Sequence, residues 1–412
     1  MLLSISIRGA TIVALVLLSY AVPATAEELS LEQAIKQALA KNPTIAAGQL
    51  WAGAARESAR GARALANPDL LVAPSVVGTA GSDSAVLLMQ PLEINGSRTA
   101  RSRIAAHEAD AAAHSARATS RDIVLSVKQH YWDTARAQQV VQLNTDNVAY
   151  LEALDKAARK QLEVGNSPGS QVIKTEVELA RARQELAQAQ LELDNTRSAL
   201  ATLLNRPAGS DFTASDPLAF TALAMDKEKL TAAALKNRPE VLSTASQSAA
   251  AQGQVAAARA KLVPDIALQA RKAAFDPEGF RGEGGVAIAV TLPFLDWGSV
   301  KAERRSAETD VAARQKELEA ARNAVALDVE QAVRSVETAA RIVSEYEGGI
   351  LDKSARLADM ARKGYESGAT SYLEVLEAQR TLRSVRTAYY SALADHAKAL
   401  ARLEWAAGTE VK

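Results

Sequence analysis

The chain has 412 residues, 48 of them Lys or Arg and 48 Asp or Glu, so its formal net charge is zero and it carries no basic footprint for nucleic acid. Hydrophobic residues make up 48% and aromatics only 4%, much of the apolar content being alanine, which favours long, closely packed helices over a globule with a bulky core. Cysteine is absent, which excludes a disulfide scaffold, thiol catalysis and a lipid-bearing N-terminal cysteine.

Residues 1–26 read as a secretory signal. Arg8 supplies a positive n-region, residues 10–18 are apolar apart from Thr11, and Ala24-Thr25-Ala26 is a small-residue cleavage site before Glu27. That run is too short to span a bilayer, and no later stretch is uniformly apolar for about 20 residues, so no transmembrane helix is expected in the exported chain.

The remainder is written twice, as residues 27–204 and 227–412, with a linker at 205–226 where Pro207, Gly209 and Pro217 break the helical pattern. Lys41-Asn42-Pro43 answers Asn237-Arg238-Pro239, and Pro68-Asp69 answers Pro264-Asp265. Pro91 and Gly96 answer Pro293 and Gly298, while Gly165, Val172, Leu179 and Arg183 answer Gly368, Val375, Leu382 and Arg386. Each half is expected to run helix, β-hairpin, very long helix, tip, long helix. Residues 97–163 contain neither proline nor glycine; an unbroken helix of that length would reach roughly 100 Å. Val325, Val329, Val333, Val336, Ala340 and Val343 recur at three and four, and Leu179, Ala182, Leu186, Ala189, Leu193, Thr196 and Leu200 keep a heptad, the pattern of close-packed coiled coils.

The hairpins, at 69–92 and 265–292, are expected to pair residues 69–79 with 84–92 and 265–274 with 286–292, strands of about ten residues, enough to cross a membrane when tilted. Ile266, Leu268 and Ala270 alternate with Ala267, Gln269 and Arg271, and Ile288, Val290 and Leu292 alternate with Ala287, Ala289 and Thr291, so one face suits lipid and the other water. Residues 78–83 and 275–285 read as glycine-rich turns; the Gly-Glu-Gly-Gly run at 282–285 lacks a following helix and lysine and is no phosphate cradle. Four strands cannot close a barrel and open edges are not tolerated in a bilayer, so several copies must share one.

This order of parts resembles the TolC-like outer-membrane efflux family over essentially the whole chain after the signal. The fold class is then mainly α with a small β part and an internal two-fold repeat. The resemblance implies a homotrimer in which long antiparallel coiled-coil helices form a periplasmic α-barrel and four strands per copy join a shared outer-membrane β-barrel. It further implies a passive, gated conduit, with a periplasmic adaptor protein and an inner-membrane pump, proton-driven and of RND type, as partners, outer-membrane lipid around it, and no cofactor. The corner Gln90-Pro91-Leu92-Glu93-Ile94-Asn95-Gly96-Ser97-Arg98 is similar to that of the heavy-metal branch, which exports cobalt, zinc, cadmium or nickel, although Asn95 and Ser97 depart from its usual glycine and lysine. Multidrug efflux and type I secretion are the alternative uses of such a channel.

The tip is where site residues carry over. Tyr365-Glu366-Ser367-Gly368 followed by Glu374-Val375-Leu376-Glu377 is similar to the family's tip and gate helix. Positions three apart share a helix face, and threefold symmetry would make Glu374 and Glu377 stacked acidic rings, which favour cations. The first-half equivalents are Gln171 and Lys174, and Tyr365 is expected to hydrogen-bond toward Gln171 when the gate is closed. Thr370 stands where the family has a basic residue. The turns Val164-Gly165-Asn166 and Ser367-Gly368-Ala369 are the expected adaptor-docking tips, and both glycines also suit plain helix C-caps.

Other readings are weaker. A periplasmic coiled-coil adaptor needs a β-rich lipoyl-like module that no segment supplies. An enzyme has no clustered histidines or nucleophile motif to run on. His107 and His114 share a helix face without acidic or cysteine company, a poor metal site, and His130 is isolated. His396 continues the stripe Leu382, Val385, Tyr389, Leu393 and Leu400 and reads as a packed residue.

Overall fold

The protein is described by a computed structural model covering residues 27–73, 85–164, 168–223, 225–273, 284–293, 297–367 and 369–409. The signal segment, the hairpin turns at 78–83 and 275–283, and Gly165, Asn166 and Gly368 lie outside the described residues.

A short strand β1 (Glu27–Leu29) leads into α1 (Leu31–Lys41) and α2 (Pro43–Gly61). The single early helix expected from the sequence is therefore a pair. Asn42 explains the break: its side chain accepts from the backbone N–H of Thr44 and Ile45, and Pro43 takes the first position of α2, where its missing N–H costs nothing. Strands β2 (Asp69–Ala73) and β3 (Ala85–Pro91) follow, then α3 (Ser97–Glu163), 67 residues without interruption, and α4 (Gly169–Leu203).

The linker holds a strand of its own, β4 (Phe212–Ala214), which pairs in parallel with β1. The second half repeats the order with α5 (Lys227–Asn237), α6 (Pro239–Ala260), β5 (Ile266–Ala273), β6 (Gly284–Val290), α7 (Ser299–Glu345), a π-turn at Tyr346–Ile350, α8 (Leu351–Glu366) and α9 (Tyr372–Ala407). Gly96 and Gly298 begin α3 and α7 with φ of +88° and +95°, a left-handed corner that turns each strand into its long helix and disfavours a side chain.

Strands β2-β3-β5-β6 make one antiparallel sheet. Gly284 and Gly285, read from sequence as turn, belong to β6: they pair with Lys272 and Arg271 through backbone groups alone, so lack of a side chain does not end the strand. The register carries one apolar face across all four strands, since Leu70 lies opposite Leu88, Leu88 opposite Ala270, and Ala270 opposite Val286. Leu70, Leu88, Leu268, Val286 and Ile288 on that face are exposed. Asp69, Gln269 and Arg271 lie on the other face. Among the described residues no helix is long and apolar enough to cross a membrane.

Among the hydrophobic clusters that hold the helices together, one large core lies in each half. In the first half Tyr131 is fully buried among Leu29, Val127, Leu200 and Phe212; its hydroxyl donates to Asp216 Oδ2 (2.8 Å) and accepts from the Asp216 backbone N–H (3.0 Å), which ties the linker to α3. Burial pushes the Tyr131 phenol up to about 12, so it stays protonated and able to donate. In the second half Val325, Val329, Val333 and Val336 of the expected stripe meet Leu403 and Ala406.

Candidate functional site

The far ends of the two helical hairpins, α3–α4 and α8–α9, meet through an apolar joint of Leu151, Leu179, Ala182, Tyr372 and Leu376, with Tyr365 packed against it. Tyr365 and Tyr372 stack edge to face at 6.0 Å. The sequence-expected pair comes together here: Gln171 Nε2 donates to the Tyr365 hydroxyl at 2.6 Å. One step further in, the Tyr372 hydroxyl and Thr175 Oγ1 share a hydrogen bond at 2.5 Å. Burial raises the Tyr372 phenol above its ordinary value, so that bond persists at neutral pH.

Two ion pairs extend the joint along α4 and α9, Arg380 with Glu178 and Arg383 with Glu185. Sequence reading missed both, because their partners lie about two hundred positions apart and nothing local marks them. Thr370, which replaces a basic residue, has a packing role instead. Its hydroxyl donates to the Ala361 carbonyl at 3.0 Å, and its side chain sits so close over Gly364 that a Cβ there would meet it at 2.6 Å. With threonine at 370, the turn leaves room only for glycine at 364.

Glu374 and Glu377 are exposed near the start of α9. Glu374 has a local duty: its Oε2 accepts from the Ser371 backbone N–H at 3.0 Å while Ser371 Oγ accepts from the Glu374 N–H at 3.3 Å, a capping box. Of the expected docking tips, Val164, Ser367 and Ala369 are exposed; Gly165, Asn166 and Gly368 fall outside the described residues.

Among the described residues no group of three or more His, Cys, Asp or Glu could hold a metal ion. Burial lowers the His114 pKa, and among the described residues its Nδ1 has no hydrogen-bond partner. His396 is buried edge-on against Phe220 at 5.0 Å, and burial lowers its pKa too.

The corner motif at 90–98 proves to be a lock. Arg101 grips both oxygens of Glu93, at 2.5 and 3.2 Å, and also donates to the Ala62 and Ala64 carbonyls. Asn95 Oδ1 accepts from the Ser97 N–H and hydroxyl, so the residues that depart from the branch pattern hold the turn themselves. The Arg101 hydrogen bonds hold the Glu93 carboxyl below the usual range.

The profile of the family "Outer membrane efflux protein" matches residues 34–206 and again 230–409. The chain belongs to that family. As an outer membrane efflux protein it is the outer-membrane channel of a tripartite system, with a helical extension into the periplasm. It is 25% identical over 367 residues to the cobalt-zinc-cadmium resistance protein CzcC of Cupriavidus metallidurans, covering 89% of this chain and 86% of that one. To the solvent efflux pump outer membrane protein SrpC of Pseudomonas putida it is 31% identical over 224 residues, 51% of this chain and 47% of that one. The solved structure of the outer membrane protein VceC from Vibrio cholerae superposes with a TM-score of 0.78 at 19% identity, covering 93% and 97% of the two chains. The resemblance, and the mainly helical fold class with a small β part read from the sequence, are thus borne out.

Proposed function

We propose that this efflux protein works as a homotrimer, a passive gated duct without chemistry of its own, passing heavy-metal cations such as cobalt, zinc, cadmium or nickel from periplasm to exterior. The shared barrel is supported by one observation above others: a four-stranded sheet with an apolar exposed face whose outer strands, β2 and β6, have no partner on their outer edges among the described residues. Such edges are untenable in lipid until copies pair them. Docking at the Val164 to Asn166 and Ser367 to Ala369 tips would join it to a periplasmic adaptor and an RND-type inner-membrane pump driven by protons.

The metal reading rests on the match to CzcC along nearly the whole length of both chains. The match to SrpC, higher in identity but over half of each chain, supports organic solvents as the second reading. A strain lacking the gene decides between them. Growth should fail at lower cobalt, zinc or cadmium than in the parent and be unchanged with toluene; the reverse pattern overturns the metal reading.

The Tyr365, Gln171, Glu374 and Glu377 cluster would be the periplasmic gate. With threefold symmetry the two glutamates become two acidic rings. Replacing both by glutamine keeps the capping box, which accepts glutamine, and removes only charge. In planar bilayers E374Q/E377Q should lower the cation-to-anion permeability ratio by about twofold or more and weaken block by divalent cations. An unchanged ratio would remove both residues from the gate.

A further inference from the structure

His396 is a polar residue at an apolar position. It continues the stripe of Leu393 and Leu400 on α9, is 1% exposed, and its Nδ1 has no hydrogen-bond partner among the described residues. A leucine would fill such a place without leaving a polar atom dry, so the imidazole calls for an explanation that packing does not give. Phe220, from the linker between the two halves, lies against it. The two rings meet edge to face with centres 5.0 Å apart, and Leu218 and Phe220 pack together on Val343 of α7 and on Ala392 and Leu393 of α9.

The same linker is fixed at its other end to the first half, where Phe212 is buried beside Tyr131, and Asp216 accepts from the Tyr131 hydroxyl and the Leu31 N–H. It is thus a strap from α3 to α7 and α9. The groups around the imidazole offer it no counter-charge. Asp133 of α3 and Asp395 of α9 both hold Lys398, at 2.9 and 3.0 Å. Glu347 of the π-turn accepts from the Tyr389 hydroxyl at 2.9 Å, with Tyr346 and Tyr390 in the same cluster; Arg136 of α3 pairs with Glu192, and Glu337 and Arg341 of α7 are exposed. None of these shifts the His396 pKa. Burial is its one cause and lowers it from the ordinary 6.5.

We propose that His396 and Phe220 form an acid-released clasp on the linker. While the imidazole is neutral, Phe220 stays seated and the strap holds α7 and α9. When His396 takes up a proton, the buried cation meets no anion, and Phe220 leaves so that water can reach it. The docked state prefers the neutral ring, whereas the released state titrates near 6.5, so release favours proton binding. Above that pH the ratio of released to docked linker is constant. Below it the ratio rises, with a limit of about tenfold per pH unit, until the docked histidine itself is protonated. His396 stands about 36 Å along α9 from Tyr372, so acid would slacken the tie between the halves without touching the tip contacts.

Native-state proteolysis reads the clasp even when release is rare, because the cutting rate follows the open population. Chymotrypsin cuts after Phe220, and the cut is followed by mass spectrometry in the full-length protein in detergent, for the wild type and for His396→Leu. The ratio of the two rates cancels the protease's own response to pH. From pH 7.5 to 5.5 that ratio should rise threefold or more, towards the limit of about tenfold. A constant ratio, whatever its size, overturns the clasp, since it would show that the imidazole seats Phe220 by its fit and not by its proton. Cuts elsewhere in the chain are the second reading. If they accelerate in parallel with the cut at Phe220, acid loosens the whole protein and the clasp is again overturned. His396→Phe serves as a second apolar reference and should give the same rise.

Discussion

If the helix tips form the gate proposed above, R380E/R383E will part the α3–α4 and α8–α9 hairpins and leave the channel's periplasmic end conducting when the wild type is shut. Arg380 and Arg383 join α9 to Glu178 and Glu185 of α4, side chains that keep between 16% and 48% of their exposure. Pairs this wet contribute about 0.5–1 kcal/mol each. Reversal replaces both attractions by repulsions of similar size, so the joint loses about 2–4 kcal/mol in all. At 1.4 kcal/mol per tenfold, the ratio of parted to joined hairpins rises by roughly one to three powers of ten.

The apolar joint at Tyr372 and Leu376 and the bond from Gln171 to Tyr365 stay in place, so the protein should still fold and the effect should appear in gating. Planar-bilayer recordings should show long-lived high-conductance openings. The swap E178R/E185R/R380E/R383E restores the sign of both pairs and should restore closure. If the double variant conducts like the wild type, α4 and α9 do not separate when the entrance opens.

The long elements were legible because their determinants are local. Residues 97–163 carry no helix breaker, and the valine stripe at 325–343 fell on the buried face of α7. What stayed hidden depends on partners distant in sequence. Strands β1 and β4 have three residues each, too short for any periodicity, and each exists only through the other. The ion pairs of Glu178 and Glu185 are invisible for the same reason. Glu374 is a different case: Ser371-Tyr372-Leu373-Glu374 spells a capping box in plain sequence, a local role that its charge does not announce. Asn42 and Arg238 show how repeated punctuation misleads. They answer each other in sequence, yet the first caps α2 with its side chain, while the second caps only the end of α5, through its backbone N–H, and gives α6 no side-chain cap.

Both nonetheless tether a kink to the end of a returning helix. Asn42 Nδ2 donates to the Leu203 carbonyl at 2.9 Å, the last residue of α4. Arg238 lies 4.0 Å over the ring of Trp405, near the end of α9, while its guanidinium bonds Glu240 at 2.9 Å and Asp328 at 2.8 Å. Arg402 stands 4.0 Å from the same indole, whose N–H donates to Asp122 of α3 at 2.7 Å. Helices α3, α6, α7 and α9 thus converge on one aromatic ring. Arg238 is only 3% exposed, so Arg238→Ala takes the cation from Glu240, leaves Asp328 with Arg402 alone and bares one face of the ring. The carboxylates left behind are a quarter to a third exposed, so losing these charged hydrogen bonds costs about 1.5–3 kcal/mol, and losing the cation over the ring adds about 1 kcal/mol. Arg238→Lys keeps a charge but neither the planar stack nor the forked contact and should recover less than half.

Urea unfolding of the protein in detergent measures both changes, and pH separates them from simple loss of packing. Burial alone would raise the Glu240 pKa, but hydrogen bonds and charge from Arg238 outweigh it and leave it below the ordinary 4.5. A carboxylate with a depressed folded pKa contributes stability above the unfolded value and loses it as pH falls through the folded one. Wild-type stability should therefore decline as pH drops below about 4.5, and Arg238→Ala should flatten that decline. A variant that unfolds at the wild-type urea concentration, with the same acid slope, would show that this half is held by its apolar core and that the Trp405 cluster is only its rim.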